Sequence, residues 1–308
     1  MGKKWLSVLL IVLLALVLVV GCGQTDDGDD GADVKGTVKI GSKEFTEQLI
    51  LGQIAIQILE DNGYEVEDRT GLGGTTVCRE ALESGEIDLY WEYTGTAWLV
   101  ALGHEEALTD SEEAYQKVKE EDLGNGMVWL PYAQFDNTYT LMMNKDQASE
   151  LGIETISQLG DYINQGNEAI FGTDHEFAIR PDGLPELENV YGFKFTDVEI
   201  MDIGITYGAL RDGLVPCAMG FATDGRIADF DLINLQDDKK FFPVYNPSVV
   251  IRQDTLENMP EIEQLLGDAG PLLDTETMTQ MNYLVDIEGE EPEDVARQWL
   301  LDNNLLSN

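Results

Sequence analysis

Positive charge is what this chain of 308 residues most lacks: 18 Lys and Arg stand against 59 Asp and Glu, for a formal net charge of −41. A surface of that sign repels phosphate backbones and anionic headgroups, which excludes nucleic-acid binding. Histidine is almost missing as well. His104 and His175 are the only two, and neither has metal-ligand spacing around it, so no metal site is expected. Of the three cysteines, Cys22 follows an apolar run, while Cys78 and Cys217 lie far apart and are expected as buried free thiols rather than a disulfide. No Gly-x-Ser-x-Gly elbow surrounds Ser42. "GLGGTT" (71–76) lacks the third glycine of a dinucleotide fingerprint and reads instead as a tight loop into a helix N-terminus able to receive an anionic group. With 59 carboxylates, paired acids occur everywhere and single out no hydrolase. The chain is therefore not expected to be an enzyme, and no cofactor is implied. A structural or adhesive role has no support either, since neither repeats nor a low-complexity body is present.

Long apolar runs are also scarce. The one from Trp5 to Val20 follows Lys3 and Lys4 and meets Val19-Val20-Gly21-Cys22, which reads as an export signal over residues 1–21. A cysteine directly after Gly21 fits a lipobox, so cleavage before Cys22 and a diacylglycerol on its sulfur are expected. A transmembrane anchor would need a run of ~20 residues, longer than this one. Residues 22–34 combine Gly and Asp with no large apolar side chain before Val34 and form a flexible acidic tether. The expected location is thus outside the cytoplasm, on the outer face of the cell membrane. The acids are dispersed rather than gathered in a tail. Such a surface suits high salt, where screening removes self-repulsion, and points to a halophilic source.

The rest of the chain exceeds one ordinary core and predicts two lobes. "TVKIGS" (37–42), "YEVEDRT" and "EIDLYWEY" read as strands; "EQLILGQIAIQILEDNG" (47–63) and "TTVCREALESG", with Thr caps, read as helices. This rhythm is that of an open, mostly parallel sheet. It restarts with "EAIFGT" (168–173), "LPELENVYG", "FTDVEIMDI", "ITYGALRDG" and "LVPCAMGF". The halves echo each other residue by residue. Ala81-Leu82-x-x-Gly85 precedes Tyr93, and Ala209-Leu210-x-x-Gly213 precedes Phe221 at the same spacing. "IGSKEF" (40–45) and "FGTDHEF" (171–177) both place Gly-Ser/Thr and then Phe after a strand.

Ligands of open α/β sheets bind outside the carboxyl ends of the strands, which is where Tyr93 and Phe221 fall. "LYWEYTGTAWL" (89–99) is dense in aromatics for a core strand. "DNTYT" (136–140) and "PVYNPS" (243–248) add Tyr139 and Tyr245 where the chain passes between lobes. Each of these two tyrosines alone reads as hinge packing. Together, four rings about a cleft suit a cation without removable protons, such as a quaternary ammonium group. Lys43 and Arg180 stand just past corresponding strands. They read either as solvated surface cations or as partners for a carboxylate. Rings plus cations describe a zwitterion such as a betaine.

"KIGSKEFTEQLILGQI", "GLGGTT", "EALESGEIDLYWEYTGTAW", "NTYTL", "YGAL" and "FATDGRI" closely resemble the extracytoplasmic substrate-binding proteins of osmoprotectant ABC transporters. These bind glycine betaine, choline and related quaternary ammonium compounds. The resemblance implies a two-lobed periplasmic-binding-protein fold (type II) with two crossings, lobe I being 35–136 plus 246–308 and lobe II 137–245. It implies a tyrosine cage matched by Tyr93, Tyr139 and Tyr245, with Phe221 where Tyr is usual. It implies carboxylate contacts from Lys43, Thr96 and Arg180, and a backbone carbonyl from Asn137 near the methyl groups. A monomer that delivers ligand to an ABC permease is expected, with glycine betaine preferred to choline. The other reading is a receptor of the same fold for an amino acid or polyamine. Tyr90, Trp91 and Trp98 are expected to pack the lobe, and Glu92 either to hold a Lys or Arg or to face water. Pro216 cannot donate to a ladder, so the strand in "GLVPCAMGF" is expected to be irregular or at an edge.

Overall fold

The computed structural model describes residues 34–306; the export signal, Cys22 and the tether up to Asp33 lie outside the described residues. Ten strands form two sheets of five. The first contains β1 (Thr37–Lys43), β2 (Glu65–Gly73), β3 (Leu89–Tyr93), β4 (Met127–Trp129) and β10 (Pro247–Arg252), in the order β2-β1-β3-β10-β4. The second contains β5 (Tyr139–Asn144), β6 (Ile170–Thr173), β7 (Asp197–Ile200), β8 (Cys217–Phe221) and β9 (Leu232–Asn234), in the order β7-β6-β8-β5-β9. Position for position the two orders correspond, with β1 matching β6, β3 matching β8 and β10 matching β5. The residue echoes noted above therefore fall at equivalent places in the two sheets.

"Mostly parallel" needs correction. In each sheet the two outer pairings on one side are parallel and the two on the other side antiparallel. The reason lies in the crossings, over 130–138 and 235–246. The chain enters β5 and β10 from the opposite sheet, at the carboxyl ends of the parallel strands, and must run against them. Register pairs Tyr139 with Phe221 and Pro247 with Tyr93, so both strands begin at the cleft. The crossings are tied together as well. Tyr245 N donates to Asp136 Oδ1 at 2.8 Å and Asn246 Nδ2 to the Phe135 carbonyl at 2.8 Å.

The aromatic wealth of β3 follows from its central place. Every residue of "LYWEY" is buried; Leu89 and Trp91 join one core cluster, and Tyr90 joins another, as a period of two requires. The helix Thr46–Asp61 buries Ile50, Leu51, Ile54, Ile58 and Leu59 beneath the first sheet. Gly85 and Gly213 end the two echoed helices with φ of +77° and +69°, a conformation that costs glycine little. The helix expected to carry Thr caps, Thr75–Ser84, is instead N-capped by Gly74 without a side-chain bond. Thr75 has turned its hydroxyl elsewhere. β8 is central, bonded to β5 and β6, so its expected edge position is wrong. Pro216 stands one residue before the strand, where no ladder donor is missed. Cys78 and Cys217 are buried free thiols in separate clusters, and burial pushes the Cys78 thiol up to about 12.

Candidate functional site

The strand ends that face each other enclose a cavity of about 60 Å³, room for several waters or a small ligand. Its walls hold the four expected rings, Tyr93, Tyr139, Phe221 and Tyr245, and the four expected polar residues, Lys43, Thr96, Asn137 and Arg180. All eight positions meet in one place. A wider cleft of about 760 Å³ adjoins it, sharing Phe45, Gly74, Asp174, Glu176 and Phe221 with it.

The rings form a continuous arc. Phe45 stacks between Tyr93 (6.3 Å between centroids) and Phe221 (5.0 Å). Tyr139 then follows Phe221 at 5.3 Å and meets Tyr245 edge-on at 5.4 Å. Phe45 was not singled out as a site residue, although the "IGSKEF"/"FGTDHEF" echo marks it. Its counterpart Phe177 backs Tyr139 at 4.9 Å. Each tyrosine is fixed through its hydroxyl. Tyr93 donates to Glu47 Oε1 at 2.7 Å and Tyr245 to Asp182 Oδ2 at 2.5 Å, while Tyr139 accepts from Arg180 Nη1 at 2.5 Å. Burial drives all three phenols well above their ordinary range, so the rings stay neutral. Phe221 has no such anchor and is held by stacking and by its own backbone N–H, which donates to the Tyr207 hydroxyl at 2.8 Å.

Both expected cations are present, and both are already paired. Lys43 Nζ lies 2.6 Å from Glu92 Oε1 and 3.0 Å from Thr75 Oγ1, with its charge 5.2 Å from the Tyr93 ring centroid. Glu92, whose role was open, thus holds a lysine and also accepts from Tyr90 at 2.9 Å. Arg180 makes a fork to Asp182 at 2.5 and 2.8 Å, with a further contact to Thr96 Oγ1 at 3.2 Å. Ion pairs this deeply buried need every partner they have.

Asn137 offers more than a backbone group. Its Nδ2 donates to Glu47 Oε1 at 2.8 Å, and its Oδ1 lies 2.8 Å from Thr223 Oγ1. Glu47 sits at the centre of this knot, also reached by Thr223 at 2.6 Å and Asn282 at 3.2 Å. Burial pushes the Glu47 carboxyl up, and those four donors counter it only in part. The expected anion at the N-terminus of the helix Thr75–Ser84 is a side chain of the protein itself: Glu176 accepts from Thr75 N at 3.2 Å and Thr75 Oγ1 at 2.6 Å. Glu47, Glu176 and Asp182 were not foreseen. The available signal was weak: Glu176 precedes Arg180 by four residues and Asp182 follows it by two, in a chain crowded with acids. Trp98, expected to pack, stacks on His104 at 3.5 Å, away from the cavity. Among the described residues no group of three or more His, Cys, Asp or Glu is arranged to hold a metal ion.

Two lobes of matching topology, joined by two crossings and closing on a ring-lined cavity, define a solute receptor rather than a catalyst. The chain belongs to the family described as the substrate-binding domain of ABC-type glycine betaine transport systems, which matches residues 36–302. It is an extracytoplasmic transport receptor and not an enzyme. It is 41% identical over 278 residues to the glycine-betaine-binding protein of Pseudomonas aeruginosa, covering 88% of this chain and 89% of that one. It is 33% identical to the carnitine transport binding protein OpuCC of Listeria monocytogenes, covering 99% and 98%. A crystal structure described as a glycine betaine/carnitine/choline ABC transporter superposes with a TM-score of 0.72 at 29% identity, over 88% of this chain and all of that one.

Proposed function

We propose that this receptor binds a quaternary ammonium osmoprotectant, glycine betaine foremost, between its lobes and delivers it to an ABC permease. The trimethylammonium group would lie against Tyr93, Tyr139, Phe221 and Tyr245, where ring faces attract a cation that carries no proton to donate. The carboxylate would take hydrogen bonds from Lys43, Thr96 and Arg180, with the backbone carbonyl of Asn137 near the methyl groups. Lobe I, 35–136 plus 246–308, and lobe II, 137–245, would close about the two crossings, driven by the ligand's preference for the closed form. Anchoring through a lipid on Cys22 would hold a monomer at the outer membrane face, and the acidic surface would serve a salt-stressed cell. The observation that carries the reading is the convergence of all four rings on one cavity.

A second reading has its own support. Lys43 and Arg180 are already neutralised by Glu92 and Asp182, which favours a cation without a carboxylate, such as choline. Titration calorimetry of the mature protein with glycine betaine, choline and proline in high-salt buffer separates the two. Saturable binding of betaine, tighter than choline and lost in Tyr139→Ala, supports the first reading. Choline binding more tightly supports the second, and no heat with either would leave the rings as packing alone.

A further inference from the structure

Glu176 differs from the other carboxylates around Lys43 and Arg180. The side chains of Glu92 and Asp182 are each 2% exposed, whereas that of Glu176 is 32% exposed. The first two pair with Lys43 and Arg180 from within the same lobe, at 2.6 and 2.5 Å. Glu176 instead reaches across the cleft, from the segment after β6 to the helix that follows β2. There its Oε1 accepts from Thr75 Oγ1 at 2.6 Å and from Arg180 Nη1 at 3.0 Å, while Oε2 accepts from Thr75 N at 3.2 Å. Thr75 Oγ1 in turn accepts from Lys43 Nζ at 3.0 Å. One carboxylate therefore draws on Arg180 directly and on Lys43 through a single hydroxyl. It is also seated closely: a Cβ on Gly74 would come within 2.6 Å of Oε2.

We propose that Glu176 is an internal competitor for the ligand's carboxylate, filling that part of the site across the closed cleft and swinging toward solvent when a zwitterion binds. This rests on the reading that the cavity takes a quaternary ammonium ligand. The charge needed for competition is retained. Burial alone would raise its carboxyl, but Lys43, Arg180 and the two Thr75 donors outweigh burial and hold it below the usual range. A ligand carboxylate entering beside an unmoved Glu176 would meet a like charge, which an interface tolerates poorly. A ligand without a carboxylate meets no such conflict and gains a nearby anion. Glu176 thus acts as a specificity-determining residue that lowers discrimination in favour of betaines.

The test is calorimetric titration of the mature protein and its Glu176→Gln and Glu176→Ala variants with glycine betaine and with choline. The affinity ratio of betaine to choline is expected to rise on the order of tenfold in both variants, from removal of a like charge. Equal changes for the two ligands would reduce Glu176 to a latch on closure and overturn the proposal, as would a falling ratio. A wild-type protein that binds neither ligand would sink the underlying reading itself, and this inference with it. Because the Glu176 side chain is one-third exposed, both variants are expected to fold, which a thermal melt checks. Should one fail to fold, the other still supplies the ratio.

Discussion

The central strands of the two sheets occupy the same place in the same strand order, yet they present their cleft-facing ring in different ways. β3 ends in Tyr93, 4% exposed, with its hydroxyl on a buried carboxylate. β8 ends in Phe221, half-buried, with no side-chain hydrogen bond possible and rings on either side. β3 also carries Glu92, which holds Lys43 at the end of β1, whereas "CAMGF" carries no charge at all. Duplicated topology has repeated the frame but not the chemistry. β3 supplies a ring fixed by a polar network, and β8 supplies a ring held by stacking without a hydroxyl anchor. Placement of the Tyr93 ring should therefore depend on the hydrogen-bonded knot around Glu47, and that of Phe221 on its stacked neighbours.

The largest effect that would break this contrast is at Glu47. Its carboxylate serves donors from β3, from the first crossing, from the turn after β8 and from the helix Thr275–Asp286. Glu47→Ala strands those donors in a buried space. It is expected to cost about 3 kcal/mol or more of folding stability, read as a lower midpoint in urea. A loss of only a few tenths would mean that Tyr93 is placed by packing, like Phe221. Truncating the rings themselves comes next. Tyr93→Ala removes a rigid, desolvated ring and should weaken quaternary ammonium binding about a hundredfold, against about tenfold for Phe221→Ala. Equal losses by calorimetry would erase the distinction between the two lobes.

What was legible from the sequence follows the same division. Strands, echoed helices, the four rings and the two cations were readable from local period and a repeated pattern. Thr96 and Asn137 came only with the family resemblance, and Phe45, Asp174 and Glu176, which line the same cavity, were not read as site residues. The mixed pairing of each sheet was not legible either, since the direction of β5 and β10 is imposed by where the crossings deliver the chain. Nor were the acids that serve the site, apart from Glu92, for which holding a cation was one of two readings. Glu47, Glu92, Glu176 and Asp182 are four of 59 acids, and only the fold decides which of them lose water and gain a donor. Pro216 misled because its missing N–H matters only inside a strand, and β8 begins one residue later.

Protonation offers a smaller probe of the cleft. Burial raises the carboxyls of Asp174, in the cavity wall, and Asp136, in the first crossing, to about 6 from an ordinary 3.8. A carboxyl whose pKa is higher in the folded state stabilises the fold below the unfolded value, and that stability is lost as pH rises through the folded value. The ligand-free protein should thus lose about 1 kcal/mol per group between roughly pH 4 and pH 6, after allowance for solvent screening. Urea midpoints across that window should fall with pH in the wild type. They should fall by less in Asp174→Asn, while Asp136, Glu47 and Asp286, also raised by burial, keep contributing. Glu176, held low by Lys43 and Arg180, acts in the opposite sense, its contribution being lost as pH falls below the ordinary value of 4.5.

The smallest expected effect sharpens the comparison most. Phe221→Tyr adds to this ring the hydroxyl that Tyr93, Tyr139 and Tyr245 carry. If the second-lobe ring is placed by Phe45 and Tyr139, whose centroids lie 5.0 and 5.3 Å away, then the new hydroxyl gains only what solvent already offers. The side chain is half-buried at the cleft, so its oxygen can remain hydrated, and an exposed hydrogen bond exchanged for one to water contributes little. Betaine affinity should then change by no more than about threefold, since the ring face that attracts the cation is the same. A gain of tenfold or more would show that the hydroxyl finds a buried partner. The two lobes would then hold their rings in the same way, and the stacked ring of this chain would be the weaker version of an anchored one.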